Sequence, residues 1–300
     1  MKDAADEDDG IPVEFYGLRR GTVTALTIIC ALFALFTLIP IIWLIINSTK
    51  TQANIFETFG FWFARPFALF HTFANLFTDV DGDGIFAQWF ANTVIYSVVS
   101  GVGATILAAL AGYGFARFRF RGSRFLFAMI IAGLLVPITL VAVPLFLVYA
   151  KVHLINSMAG MILPSMVYPV GVYLMRTYVE LSIPEEITDA ARVDGASEFR
   201  IFFRIVLPLM VPGLMTVLLL SIAATWNNYI LPLIIFSNNS LFPGTVGIGL
   251  WLQHVGGSGD TNLYPLLVLS GLVMIIPMIA LFAVLQRYWR GGMLLGSVAN

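Results

Sequence analysis

Apolar runs of about twenty residues constrain this chain more than any other feature. Residues Val23–Ile46 contain no charged side chain, and several later runs share that character. A helix rises 1.5 Å per residue, so about twenty such residues cross a hydrocarbon layer of about 30 Å. A span must bond its backbone internally, which a helix does. Apolar residues make up 59% of the 300 and charged ones 11%, against about 45–50% and about 25% in soluble domains. That balance excludes one or two water-soluble domains. The single cysteine, Cys30, lies inside the first run, so no disulfide forms within the chain.

The pattern predicts an all-α integral membrane protein with six transmembrane helices, at about Val23–Ile46, Asn92–Phe115, Phe125–Ala150, Ser157–Met175, Ile205–Phe236 and Tyr264–Leu285. Residues 1–22 read as a retained tail, because their acidic start is unlike the positive n-region of a signal peptide. Residues 47–91 form an external or interfacial segment. Its scattered rings (Phe59, Trp62, Phe63, Phe67, Phe70 and Phe73) suit the membrane–water boundary. Residues 92–286 hold the five-helix core and 287–300 a second tail. Pro137, Pro144, Pro164, Pro169, Pro212 and Pro232 fall inside the runs and mark bends. The fifth run exceeds one span, which places its start in the interface.

With the N-terminus inside, the inner segments carry thirteen Lys and Arg residues and the outer ones only Lys50, Arg65 and Lys151. This asymmetry predicts cytoplasmic N- and C-termini, and it puts the loop Ser237–Asn262, which has no Lys or Arg, outside. None of the six spans as drawn holds Asp, Glu, Lys, Arg or His. Ion-coupled carriers place such residues at membrane depth, so any energy for movement is expected to arrive from outside the membrane. A stand-alone secondary transporter or channel for small polar solutes is the alternative. Against it stand the uncharged spans and a span count low for an inverted-repeat carrier. An integral-membrane enzyme would need His or acidic clusters at one interface, and none is evident.

The longest cytoplasmic polar stretch is Ser182–Pro208. Ser182 and Glu185 have capping-box spacing, with Pro184 in the first turn. Glu185, Glu186 and Asp189 favour the positive end of a helix. Ile187, Ala190, Ala191 and Asp194 share a nearly flat face that a partner surface can approach. Gly195 is suited to the left-handed residue that stops a helix, and Ser197 to the cap of a second one. Phe199, Phe202, Phe203 and Val206 then repeat at helical spacing. On residue physics alone, this is equally an interfacial loop with two amphipathic helices.

The stretch Ile183–Pro212 resembles the EAA loop of ATP-binding-cassette importer permeases. Asp189-Ala190-Ala191 occupies the E-A-A slot, with Asp for Glu. Asp194-Gly195-Ala196 occupies the D-G-A slot, and Ile205-Val206-Leu207-Pro208 the closing I-x-L-P. Residues 116–122 are similar to the A-R-x-x-F-x-G segment of the carbohydrate-uptake branch. Trp226-Asn227-Asn228-Tyr229 with Pro232-Leu233 resembles its W-N-E-F…P-L segment, with Asn228 in place of the acid. Gln286-Arg287-Tyr288-Trp289 and the glycines after it resemble that branch's C-terminal ending, although the last five residues depart from it. The likeness is to the six-span subunit of a maltose-type system. It implies a type I importer permease fold in a bacterial plasma membrane.

The resemblance also implies partners: a second permease, two nucleotide-binding ATPase subunits, an extracytoplasmic sugar-binding protein and membrane lipid, with no nucleic acid. ATP and Mg would bind those ATPases, leaving no cofactor and no catalytic residue here. Loop 176–204 would couple to them through Glu186, Asp189, Ala190, Ala191, Asp194, Gly195, Ala196 and Phe199.

Trp226, Asn227, Asn228 and Tyr229 offer amides and ring faces that suit a sugar path, and packing between helices is the competing reading. Asp79–Gly84 matches the first positions of a calcium loop, but position 12 is Phe90, so a tight turn competes. His71, His153 and His254 have no ligand-spaced Cys or carboxylate, so no metal site is expected. Gly101, Gly103, Gly112 and Gly114 read as close-packing positions. Arg117, Arg119, Arg121 and Arg124 read chiefly as headgroup anchors, with ATPase contact as the other possibility.

Overall fold

The computed structural model describes residues 20–78, 84–258 and 263–295. Most of the N-terminal tail, Asp79–Asp83 of the calcium-like loop and the last five residues lie outside them. Helix α1 (Arg20–Asn47) is followed by two short helices, α2 (Gln52–Glu57) and α3 (Leu69–Thr78). Helix α4 (Ile85–Arg117) follows. Then come α5 (Ser123–Gly133), α6 (Ile138–Lys151), α7 (Met158–Ser165) and α8 (Pro169–Ser182). Helix α9 (Glu185–Val193) leads into α10 (Glu198–Leu209), whose Phe202–Val206 segment is a π-helix. Helices α11 (Val211–Trp226), α12 (Ile230–Ile235), α13 (Gly244–Ser258) and α14 (Tyr264–Leu295) complete the chain. No strand occurs among the described residues.

Helix α4 is the axis. It packs against α8 on one side and α11 on the other. The contact with α8 depends on Gly112, where a Cβ would lie 2.8 Å from the Arg176 amide nitrogen. Gly101 does the same for α11, with Ile222 Cγ1 only 2.4 Å from an added Cβ. Small residues let backbones approach where no hydrophobic force pulls helices together in lipid. Gly114 faces open space instead, so it is not a packing position.

Helix α4 begins at Ile85, seven residues before the predicted span. Phe86 and Trp89, assigned above to the interfacial segment, are buried. Trp89 Nε1 donates to the Asn239 carbonyl at 3.0 Å, Asn92 Nδ2 to that of Ser240 at 2.7 Å, and Tyr96 Oη to that of Leu241 at 2.9 Å. Three side chains of one helix thus satisfy an irregular loop that would otherwise have unmet carbonyls. Nor is Ser237–Asn262 a plain loop. It contains α13, whose Gly247 lies against the Trp89 ring. The rings of Phe59, Trp62 and Phe70 in the segment between α1 and α4 are exposed.

Among the described residues, four helices are long and apolar enough to cross a membrane: α1, α4, α7 with α8, and α14. A bent pair, α10 with α11, makes a fifth. The predicted third span, Phe125–Ala150, is two shorter helices separated at residues 134–137. Pro137 stands at that break and cannot donate an N–H to the helix before it. The predicted fifth run, Ile205–Phe236, is broken twice. Pro208 and Pro212, four apart, remove donors from successive turns. The chain answers with the π-helical turn and a 76° bend between α10 and α11. The second break falls at Asn227–Tyr229, ahead of Pro232. There the Asn228 carbonyl accepts from Thr245 Oγ1 at 2.8 Å instead of from a helical N–H.

Candidate functional site

Helix α9 stops at Gly195 by backbone geometry. Gly195 has φ +79°, its N–H donates to the Arg192 carbonyl, and that of Ala196 donates to the Ala191 carbonyl, both at 3.0 Å. This pair of bonds is the Schellman closure. The start differs from the expected capping box. Ser182 is the last residue of α8, Pro184 occupies the cap position, and neither the Pro184 nor the Ser197 side chain caps a helix. Glu185 turns to Arg117, with Nη1 to Oε1 at 3.0 Å.

Arg117 corrects the headgroup reading made from sequence. Its side chain is only 5% exposed. It donates to the carbonyl of Val179 in the last turn of α8, at 3.3 Å, and to that of Ile183, the residue that follows the helix. A cation at a helix C-terminus meets the negative end of the dipole. One guanidinium therefore ties the end of α4, the end of α8 and the start of α9 together. Arg119, Arg121 and Arg124 are exposed, as a headgroup role requires.

Arg192 spans the corner. It pairs with Asp189 Oδ1 at 2.6 Å and reaches over Gly195 to Glu198 at 2.7 and 3.4 Å. The Glu198 hydrogen bond is the main reason its guanidinium holds its proton even more tightly than usual. The corner is thus closed by backbone and by a salt-bridged clasp.

The flat face expected of Ile187, Ala190, Ala191 and Asp194 is divided. Ala191 is buried with Thr188 against Val179, Ile183, Ile201, Phe202 and Val206 in the inner core. Glu186, Asp189, Ala190, Asp194 and Gly195 face outward, and Ala196 is half-buried. The aromatic stripe divides in the same way. Phe202 and Val206 point into the core, whereas Phe199 is 79% exposed and Phe203 faces out. Val193, not singled out by sequence, is 87% exposed near the end of α9. Exposed apolar side chains around a rigid corner form the kind of patch that receives another protein. Its root is fixed in the bundle next to the α10–α11 bend.

The second group of candidates is not one surface. Trp226, Asn227 and Tyr229 line a cavity of about 480 Å³ with Thr245 and Met278. Asn228 opens into another, of about 320 Å³, lined from α6, α7, α11 and α12 and by Val167 and Tyr168 ahead of α8. Among the described residues, no three His, Cys, Asp or Glu side chains lie close enough to share a metal ion.

Helices long and apolar enough to cross a membrane, broken within the bundle, with a polar corner standing out from it, are the architecture of a multi-span membrane protein. The chain belongs to the family of inner membrane components of binding-protein-dependent transport systems, which it matches over residues 101–293. It is therefore a transport subunit and not an enzyme. It is 32% identical over 274 residues to the arabinooligosaccharides transport system permease protein AraQ of Halalkalibacterium halodurans, covering 91% of this chain and 95% of that one. It is 30% identical to the lactose transport system permease protein LacG of Rhizobium radiobacter, covering 90% and 94%. It is 27% identical to the diacetylchitobiose uptake system permease protein NgcG of Streptomyces coelicolor, covering 89% and 85%. Its fold matches a chain of a bacterial ABC transporter that imports the polysaccharide alginate, with a TM-score of 0.74 and 24% identity over 91% of this chain and 99% of the other. The fold is that of a type I importer permease.

Proposed function

We propose that this chain is a permease subunit of an ATP-driven importer for an oligosaccharide. The observation that carries the reading is the lever. Val193 and Phe199 stand out at its tip, while Thr188, Ala191, Ile201 and Phe202 are buried at its root. The tip seats on one of two ATPase subunits, which bind ATP and Mg. Their closure moves the Glu185–Gly195 corner as a unit, because the Schellman turn and the Arg192 clasp leave it no soft joint. Motion passes along α10 to the bend before α11, where two prolines have already removed the bonds that would resist it. A second permease completes the path, and a binding protein delivers the sugar outside. The oligosaccharide class is supported by the names of the arabinooligosaccharides, lactose and diacetylchitobiose permeases.

In this reading α5 and α6 cross together, giving six spans in a bacterial plasma membrane with both termini cytoplasmic. The distribution of Lys and Arg supports that orientation. The test is copurification with uptake. The chain, expressed with its neighbouring transport genes, should purify with an ATPase and a second permease. In vesicles the complex should take up sugar only with ATP and the binding protein. Uptake by this chain alone, without nucleotide, would establish a secondary transporter instead.

A further inference from the structure

We propose that the apolar groove beside the α10–α11 bend holds an acyl chain of an anionic phospholipid of the cytoplasmic leaflet, with its phosphate held by Arg200 and Arg204. The choice of leaflet rests on the cytoplasmic placement of the corner proposed above. The groove, about 700 Å³, lies within the range of about 300–1,000 Å³ occupied by small-molecule sites. Ile106 and Leu110 of α4 form one wall, Phe203, Leu207 and Pro208 of α10 a second, and Val211 of α11 a third. Both arms of the bend therefore touch whatever fills it.

The lining offers nothing to a polar ligand. Its one hydroxyl, on Thr105, already donates to the Gly101 carbonyl at 2.7 Å. Its length suits a lipid chain. Leu110 and Ile106 stand seven and eleven residues before Arg117, the end of α4, which is about 10 and 16 Å along the helix. That is the depth of one leaflet, half of a hydrocarbon layer of about 30 Å. In lipid no hydrophobic force drives a chain into the groove. A chain enters because an unfilled groove forfeits dispersion contacts along its walls.

The charged end makes the groove selective. Arg204 follows Phe203 of the wall, and Arg200 stands four residues before Arg204. Both are exposed, and among the described residues neither forms an ion pair, whereas Arg117, Arg176 and Arg192 all do. Guanidiniums with no carboxylate partner suit a phosphate, which accepts paired hydrogen bonds from them. A helix of another subunit seated here would leave both charges unmatched unless it carried an acid at that depth, which membrane spans seldom do. An apolar length ended by two cations is the complement of an anionic amphiphile.

The test uses the assembled transporter in phosphatidylcholine vesicles. The probe is phosphatidylglycerol with a photoreactive diazirine in mid-chain, and labelled peptides are located by mass spectrometry. Label should fall on residues 105–110 and 202–214, and unlabelled phosphatidylglycerol should compete it away. An arginine near an anionic headgroup adds about 5-fold in affinity. Arg200→Gln with Arg204→Gln should therefore weaken the competition by about 30-fold. Arg119→Gln with Arg121→Gln, an equal loss of charge, should not. Ile106→Trp should block the label by filling the groove. Equal labelling by a phosphatidylcholine probe, or equal effects of the two arginine pairs, would overturn the site. No label on either segment would overturn it as well, with another subunit as the occupant. The leaflet is checked separately with Val193→Cys in a Cys30→Ser background, which a membrane-impermeant maleimide should miss in intact cells. Reaction there would overturn the cytoplasmic placement, while the labelling result stands or falls by itself.

Discussion

Substituting Gly195 tests the lever most directly, because the structure separates its two possible roles. An added Cβ meets no heavy atom within 4 Å, yet φ is +79°. The penalty within this chain is therefore conformational. An L-residue in the left-handed region costs about 1–2 kcal/mol, and asparagine tolerates it best. That is a shift of about 5- to 30-fold between closed and open corner. The buried root of α9 keeps the helix docked, so the protein should insert and assemble. Uptake and stimulated ATP hydrolysis are measured on the same proteoliposomes for Gly195→Asn, Gly195→Ala and Gly195→Val. The expected order of uptake is Asn above Ala above Val. Valine should lose about tenfold or more, since β-branching makes positive φ harder still. Normal transport by Gly195→Val would refute the lever. An assembled Gly195→Asn complex as defective as valine would refute the conformational argument and point to space inside the partner.

Arg117→Met should loosen the α8–α9 junction, because it removes a nearly buried cation from Glu185 and two carbonyls. Hydrogen bonds to charged groups are worth about 1.5–3 kcal/mol, so amide exchange in residues 183–195 should accelerate on the order of tenfold or more. Arg117→Lys should not restore it, since an ammonium lacks the fork that reaches all three acceptors. Gly112→Ala should destabilise by about 1–3 kcal/mol by driving α4 from α8, whereas Gly114→Ala should be neutral or stabilising by up to about 1 kcal/mol in a melting assay. Lys50 is fully buried, and burial lowers its pKa from the ordinary lysine value. The unfolded chain then binds more protons than the folded one between the depressed pKa and about 10.4. Stability should rise with pH across that window, and Lys50→Met should flatten the rise.

Much of the architecture was legible along the chain. Long apolar runs located the helices, and the glycine between Asp194 and Ala196 located the turn, because helix length and backbone handedness are local properties. Prolines marked where runs would yield, although not how. Pro137 in the run Phe125–Ala150 and Pro212 in the run from Ile205 marked bends, but not that the first run would part into two helices or that the second would turn by 76°. Both depend on what the neighbouring helices leave room for.

Facing was the larger gap. In water an apolar stripe marks the buried side of a helix. In lipid both sides are apolar, so sequence does not say which side packs. That is why Gly112 and Gly114 looked alike, and why Arg117 looked like Arg119. It is also why Asn227 and Asn228 looked like one site. Composition and period determined that this chain is a helical membrane protein with one polar corner. Only the tertiary packing decided that Arg117 locks that corner, that Val193 and Phe199 form its tip, and that neighbouring asparagines open into different cavities. Those outcomes depend on contacts between residues far apart in the chain, which no local pattern encodes.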